Sequence, residues 1–196
     1  MPRLVPSVLP AGAIGSQPQP SIPVDENLSL RPWLKSDAAF VLEAFSNRDI
    51  EHWYFRGCGS ISEAEEWIAA DQAAWVAETC ASWVIIHSPQ DTPIGSVAVH
   101  FSPRRGTGEV TYWVAPTGRR QRAATRATAA ATRWAHDVGI QRVRLMHSTQ
   151  NEISGLVAVG AGFVFEGVCR SSTLHDDGWH DMALYSHLPS DSTPTN

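Results

Sequence analysis

The chain has 196 residues, enough for one well-packed domain and short for two. A formal net charge of −5, from 15 Lys and Arg against 20 Asp and Glu, argues against nonspecific nucleic-acid binding. No run approaches the roughly 18 apolar residues of a membrane span, so no membrane partner is expected.

The opening "MPRLVPSVLPAGAIG" has one arginine and some apolar residues, but prolines interrupt it, so a flexible leader is expected rather than a secretory signal. Residues 1–27 contain six prolines and no apolar period, which predicts a loosely ordered arm with few packing contacts. Residues 28–188 carry the strong patterning and are expected to form the domain; 189–196 are a polar tail. Cys58, Cys80 and Cys169 are far apart and odd in number, which fits a reducing, cytoplasmic setting better than a disulfide framework.

"LSLRPW" reads as a short alternating strand and "SDAAFVLEAFSN" as a helix, with Ser36 or Asp37 as its cap and Phe40, Val41, Ala44 and Phe45 as its apolar stripe. Trp53, Tyr54 and Phe55 then fall in an inter-helix loop, where they either line an acceptor pocket or anchor the loop. "SEAEEWIAADQAAWVAET" is a second helix, with Ser62 and Glu65 matching a capping box. "SWVIIH", "PIGSVAVHF" and "GEVTYWV" follow as an antiparallel meander.

From Arg119 to Val138 the period turns helical through Ala123, Ala127, Ala130, Trp134 and Val138, and Gly139 stops it. "RVRLMHS" is a fifth strand, reached by a right-handed crossover that implies parallel pairing. "NEISGLVAVGAG" makes a short helix, and "FVFEGVCRSSTL" and "WHDMALYSH" form a hairpin around "HDDG". The sum is an α/β fold with a mixed central sheet of about seven strands and about four flanking helices.

Chemistry concentrates where "GEVTYWV" runs into the next helix. A strand that splays there offers unpaired backbone groups to an amide-bearing ligand, and the helix start offers N–H groups to a pyrophosphate. Glu109 and Thr111 share one strand face; Val110, Tyr112 and Val114 share the other. Glu109 is either a proton acceptor or a solvent-facing glutamate. Ser154 either protonates a leaving group or caps its helix, and Asn151 either bonds backbone across the site or caps. His175, Asp176, His180 and Asp181 in "HDDGWHD" invite a metal reading, but they straddle a turn and match no zinc spacing. They are expected as turn and solvent-facing strand positions, with no metal.

Three stretches, "LSLRPW", "GEVTYWVAPTGRR" and "NEISGLVAVGAGFVFEGVCRSSTLHDDGWHDMALYSHL", together resemble the GNAT superfamily of N-acetyltransferases. The likeness is to the RimJ/RimL-type branch that acetylates ribosomal-protein N-termini, with Asn151, Ser154, Gly162, Phe163, Glu166, Gly167, His180, Asp181, Tyr185 and Ser186 at family positions. The resemblance implies acetyl-CoA as co-substrate and a small-molecule amine or a protein N-terminus as acceptor, in a monomer or homodimer. It implies that Tyr112, Trp113 and Val114 run beside the pantetheine arm. The amides of Arg119, Arg120, Gln121, Arg122, Ala123, Ala124 and Thr125 would face the pyrophosphate. Glu109 would be the general base, Ser154 the acid for the coenzyme thiolate, and Asn151 a brace.

The chain departs from the family at that loop. Arg120 and Arg122 stand where glycines are usual, Gly155 and Leu156 replace long polar residues after Ser154, and Val159-Gly160 replaces a Glu-Lys pair. Two readings stay open. The arginines bind phosphate through their side chains, or they exclude acyl-CoA and the cleft serves a CoA-independent reaction or ligand and protein binding.

Overall fold

The computed structural model describes residues 5–54, 57–88 and 90–191. In chain order its strands are β1 (Ile22–Pro23), β2 (Leu28–Pro32), β3 (Cys80–His87), β4 (Thr92–Ser102), β5 (Thr107–Val114), β6 (Arg142–Ser148), β7 (Val164–His175) and β8 (Gly178–His187). The helices are α1 (Ala38–Phe45), α2 (Arg48–Tyr54), α3 (Ile61–Val76), α4 (Ala123–Asp137) and α5 (Glu152–Gly160). The strands form one eight-stranded sheet in the order β1-β2-β3-β4-β5-β6-β8-β7. Among the described residues only β5 and β6 pair in parallel, joined by the α4 crossover.

All seven expected strands are present. The eighth, β1, comes from the arm, and the extra helix α2 takes the segment expected as an inter-helix loop.

Each face of the sheet has its own core. Ala123, Ala127, Ala130, Ala131 and Ala135 bury the small-residue face of α4 over Val97, Val99, Val110, Val143 and Leu145. Short side chains let this helix lie close to the strands. Trp134 fills the remaining space, edge-on to Trp83 with ring centres 4.8 Å apart. On the other face, α1 and α3 close over Trp33, Val84, Ile86 and Trp113, with Trp67 half-buried at the margin. No helix among the described residues is long and apolar enough to cross a membrane.

Two caps differ from expectation. Ser60, not Ser62, caps α3 by accepting from the Glu63 N–H (3.2 Å), while the Glu63 carboxylate accepts from the Gly59 N–H (2.8 Å). Asp37 does not cap α1 with its side chain; its buried carboxylate accepts from both Arg31 Nη atoms and from the Leu34 N–H.

The described part of residues 1–27 is not the sparsely packed arm that its prolines suggest. Glu78 accepts hydrogen bonds from the N–H groups of Gly12, Ile14 and Gly15 at 2.7, 2.6 and 2.9 Å. The indole N–H groups of Trp75 and Trp83 donate to the carbonyls of Gln17 and Pro20, both at 2.8 Å. Ile14 is buried in the main core. The segment has no period of its own because it answers needs set elsewhere: buried indoles require acceptors, and an irregular backbone has carbonyls to spare.

Candidate functional site at the β5–β6 opening

β5 and β6 pair over only three positions, Thr107 with Arg142, Gly108 with Val143, and Glu109 with Arg144. Beyond Glu109 they part, while β5 stays paired to β4 as far as Val114 opposite Gly95. One backbone edge of Val110–Val114 therefore borders an opening in the sheet. The opening lies where the sequence allowed for a splay between the strands.

Tyr112 from β5 and Ser154 from α5 meet in this opening. The Tyr112 hydroxyl donates to Ser154 Oγ at 3.0 Å. Burial pushes the phenol up to about 12, against the opposing effect of its bond to Ser154, so the donor keeps its proton at neutral pH. Asn151 supplies the helix cap, with Oδ1 accepting from the Ser154 N–H at 3.2 Å. Ser154 is thus relieved of capping, and Asn151 spends its oxygen on the helix start rather than on backbone across the site. Space does not require glycine at 155, since a Cβ there would lie in ordinary contact, 3.4 Å from Nε2 of His147, whose ring stacks on Tyr185 with centres 5.4 Å apart.

The arginine loop keeps a glycine-like backbone without the glycines. A 3₁₀ turn, Pro116–Gly118, leads into it. Arg120 and Arg122 then adopt φ of +62° and +54°, the left-handed conformation that glycine enters freely. For a residue with a Cβ each such position costs about 1–2 kcal/mol. Turns that contain left-handed residues are a backbone setting in which successive N–H groups can form an anion-binding concavity. Arg122 is also the N-cap residue of α4, and no side chain caps that helix.

The neighbouring guanidinium groups are committed elsewhere. Arg119 Nη1 donates to Asp49 at 2.8 Å, and Arg126 Nη1 donates to Asp25 at 2.6 Å. Arg120 and Arg122 are exposed, and among the described residues no hydrogen bond or ion pair holds their side chains. Gln121 is exposed and donates to the Thr117 carbonyl at 3.3 Å. Ala123 is buried in the core, while Ala124 and Thr125 are half-buried in the first turn of α4. Gly160 lets α5 approach there, since a Cβ at Gly160 would lie 2.9 Å from Thr125 Cγ2.

Trp113 borders the opening through its backbone alone. Its indole lies in the opposite core, 6.3 Å from Trp33 and 5.5 Å from Phe45 between ring centres. Glu109 sits at the vertex, on the Trp113 side of the strand, and is not a lone solvent-facing carboxylate. Arg144 grips its Oε2 through Nε at 2.8 Å and Nη2 at 2.6 Å. Nothing in the sequence pairs these residues; the parallel register does.

The expected aromatic pocket is not gathered in one place. Tyr54 stacks on Phe45 with ring centres 5.9 Å apart, whereas Trp53 packs on His52 at 4.3 Å and His175 at 5.8 Å. Phe55 lies outside the described residues. A cavity of about 320 Å³ lined by Phe45, Gly57, Cys58, Glu63, Glu66 and Trp67 shares none of the expected site residues.

"HDDGWHD" differs most from its reading. His175 and His180 are buried, 6% and 2% exposed, not solvent-facing. Their rings stack with centres 3.9 Å apart. His52 comes from α2 to join them, its Nδ1 2.8 Å from Asp176 Oδ1. His180 Nε2 is 2.9 Å from Asp177 Oδ1, and its Nδ1 is 2.8 Å from Ser148 Oγ. Burial first, then the neighbouring His180 and His52, hold the His175 pKa below its usual value. Asp181 is separate and accepts from the Ser171 N–H at 2.8 Å.

The profile of the acetyltransferase (GNAT) domain matches residues 27–164. "Uncharacterized N-acetyltransferase YoaA" of Bacillus subtilis (strain 168) is 24% identical over 164 residues, covering 82% of this chain and 93% of that protein. Among solved structures, the Salmonella typhimurium acetyl transferase that modifies the N-terminal serine of ribosomal protein L7/L12 superposes with a TM-score of 0.77 at 18% identity, covering 86% of this chain and 99% of that one. The microcin C7 self-immunity acetyltransferase MccE, solved with acetyl-CoA and AMP, gives 0.75 at 17% identity, covering 84% and 94%.

Proposed function

The chain belongs to the GNAT acetyltransferase family, and on that premise we propose that it transfers an acetyl group from acetyl-CoA to a primary amine by direct attack. The observation that carries this reading is the left-handed backbone at Arg120 and Arg122. A loop that had lost its phosphate ligand has no reason to keep two conformations costing about 1–2 kcal/mol each in arginine. Anion-directed N–H groups give such a reason. The two unheld guanidinium groups add charge-assisted contacts, so the arginines act as an outer clamp over an inherited cradle.

The unpaired edge of β5 holds the amide-bearing arm of the coenzyme and polarises the thioester carbonyl through a backbone N–H. The amine approaches from the Glu109 side, and Glu109 takes its proton through a water once Arg144 shares the carboxylate. On the other side Ser154 passes its hydroxyl proton to the departing thiolate and takes the phenolic proton of Tyr112, which bulk water restores so that no tyrosinate persists. The acceptor is a small-molecule amine or a protein N-terminus, as in the RimJ/RimL-type branch. The Salmonella relative, which modifies a protein N-terminus, favours the latter class.

Calorimetric titration with acetyl-CoA tests the reading. Saturable binding that weakens in Arg122→Ala supports the clamp. Binding absent from the native chain but restored by Arg120→Gly with Arg122→Gly would replace it with a closed, CoA-independent cleft.

A further inference from the structure

We propose that His52, His175 and Asp177 form a site for one divalent transition cation of the zinc class, joining α2 to the β7–β8 hairpin. The proposal does not rest on the acyl-transfer reading. One ligand atom from each of the three residues lies within 4.8 Å of the other two. Tetrahedral zinc with bonds of about 2.0–2.1 Å needs donors roughly 3.3 Å apart. Closing that gap calls on the partly exposed His52 and Asp177 side chains to turn toward the buried His175.

The donor set narrows the ion to the imidazole-binding divalent transition metals. Two imidazoles and a carboxylate suit zinc, nickel or cobalt; the absence of thiolate disfavours copper(I), and imidazole disfavours magnesium and calcium. The surroundings orient the donors as partners of a metal site do. His52 Nδ1 donates to Asp176, which leaves the Nε2 lone pair available. His180 Nε2 donates to Asp177 Oδ1 while its Nδ1 accepts from the Ser148 hydroxyl, so the Asp177 carboxylate is held from behind. Asp176 and Asp177 together balance the two positive charges of the cation.

Access and closure are both provided. The Asp177 and His52 side chains are 50% and 28% exposed, and His175 forms the buried floor. Three protein ligands leave a fourth position for water or a ligand atom. Trp53 walls the cluster beside His52, so an ion would fix the α2 end that carries it against the hairpin.

The test is titration of the untagged full chain with Zn2+ by calorimetry, with thermal unfolding in parallel and Co2+ as a visible-absorption probe. Binding of one ion per chain with a rise in Tm, and no response to Mg2+, is expected. His175→Ala and Asp177→Asn should abolish both responses, Asp176→Asn should weaken binding by about 10–100-fold, and His87→Ala should leave it unchanged. Asp177 is exposed enough that its amide variant folds even if His175→Ala does not. No binding by the native chain, or binding that survives Asp177→Asn at full strength, overturns the site and leaves the cluster a hydrogen-bonded clamp.

Discussion

The Tyr112 hydroxyl on β5 donates to Ser154 Oγ on α5 at 3.0 Å, across a gap where the sheet has no backbone pairing. This bond joins the β5 and α5 walls of the opening, beyond the Glu109–Arg144 pair at its vertex, and it sets the direction of the proposed proton path. Ser154→Ala should lower kcat by roughly 10²-fold, the usual scale for a lost general acid, with little change in KM for acetyl-CoA. Tyr112→Phe should lower kcat by less, because Ser154 keeps its own proton and loses only resupply. Steady-state kinetics separate the two, and an unchanged kcat in Ser154→Ala removes Ser154 from the mechanism.

Arg120→Gly and Arg122→Gly should each stabilise the fold where the left-handed backbone is strained, by about 1 kcal/mol after the extra entropy of glycine in the unfolded chain is subtracted. Thermal unfolding checks this. A fall in Tm for both variants means that the arginine side chains stabilise the loop by more than the strain costs.

Glu109 and Arg144 should act together in the acceptor half-reaction. Glu109→Gln should reduce kcat/KM at neutral pH by about 10²-fold and leave coenzyme affinity nearly unchanged. Arg144→Ala, which frees the carboxylate, should change kcat/KM for the acceptor without removing activity. A native kcat/KM in Arg144→Ala would show that the pair only fastens β5 to β6.

Acid stability should report the Glu166 network. Hydrogen bonds from Arg142, and secondarily from Ser186, lower the Glu166 pKa from 4.5 to about 2. A depressed carboxylate pKa adds stability that is fully present above 4.5 and is lost as pH falls toward 2. The network is at the surface, so screening keeps the contribution small. Glu166→Gln should flatten the stability curve across that window and leave its slope above it unchanged, as measured by urea unfolding at stepped pH.

The arm should matter to the fold. Glu78→Gln weakens three backbone contacts at once, and about 1–2 kcal/mol of stability should go with them, allowing for solvent exposure. Deleting residues 1–24 should cost more, because Trp75 and Trp83 lose their acceptors and the core loses Ile14. A Tm within a few degrees of native after that deletion would falsify a structural role for the arm.

Sequence by itself determined the seven main strands, the alanine-rich crossover helix and the place of the arginine loop, whereas where β5 and β6 part was decided by their register. Those features follow from local rules: a period of two or of 3.6 shows which face is buried, and a strand-to-helix turn is marked by its own residues. Helix α2 escaped notice because seven residues, "RDIEHWY", are too short to establish a period. The tertiary structure alone decided which polar groups meet. Tyr112 and Ser154 are 42 positions apart, Glu109 faces Arg144 only through the parallel register, and His52 reaches His175 only because α2 folds against the hairpin. Apolar burial is specified residue by residue, whereas a hydrogen bond needs two side chains placed within an ångström by every element between them. The indole acceptors in the arm and the left-handed arginines belong to the same class: each is a local exception imposed by the need of a distant partner.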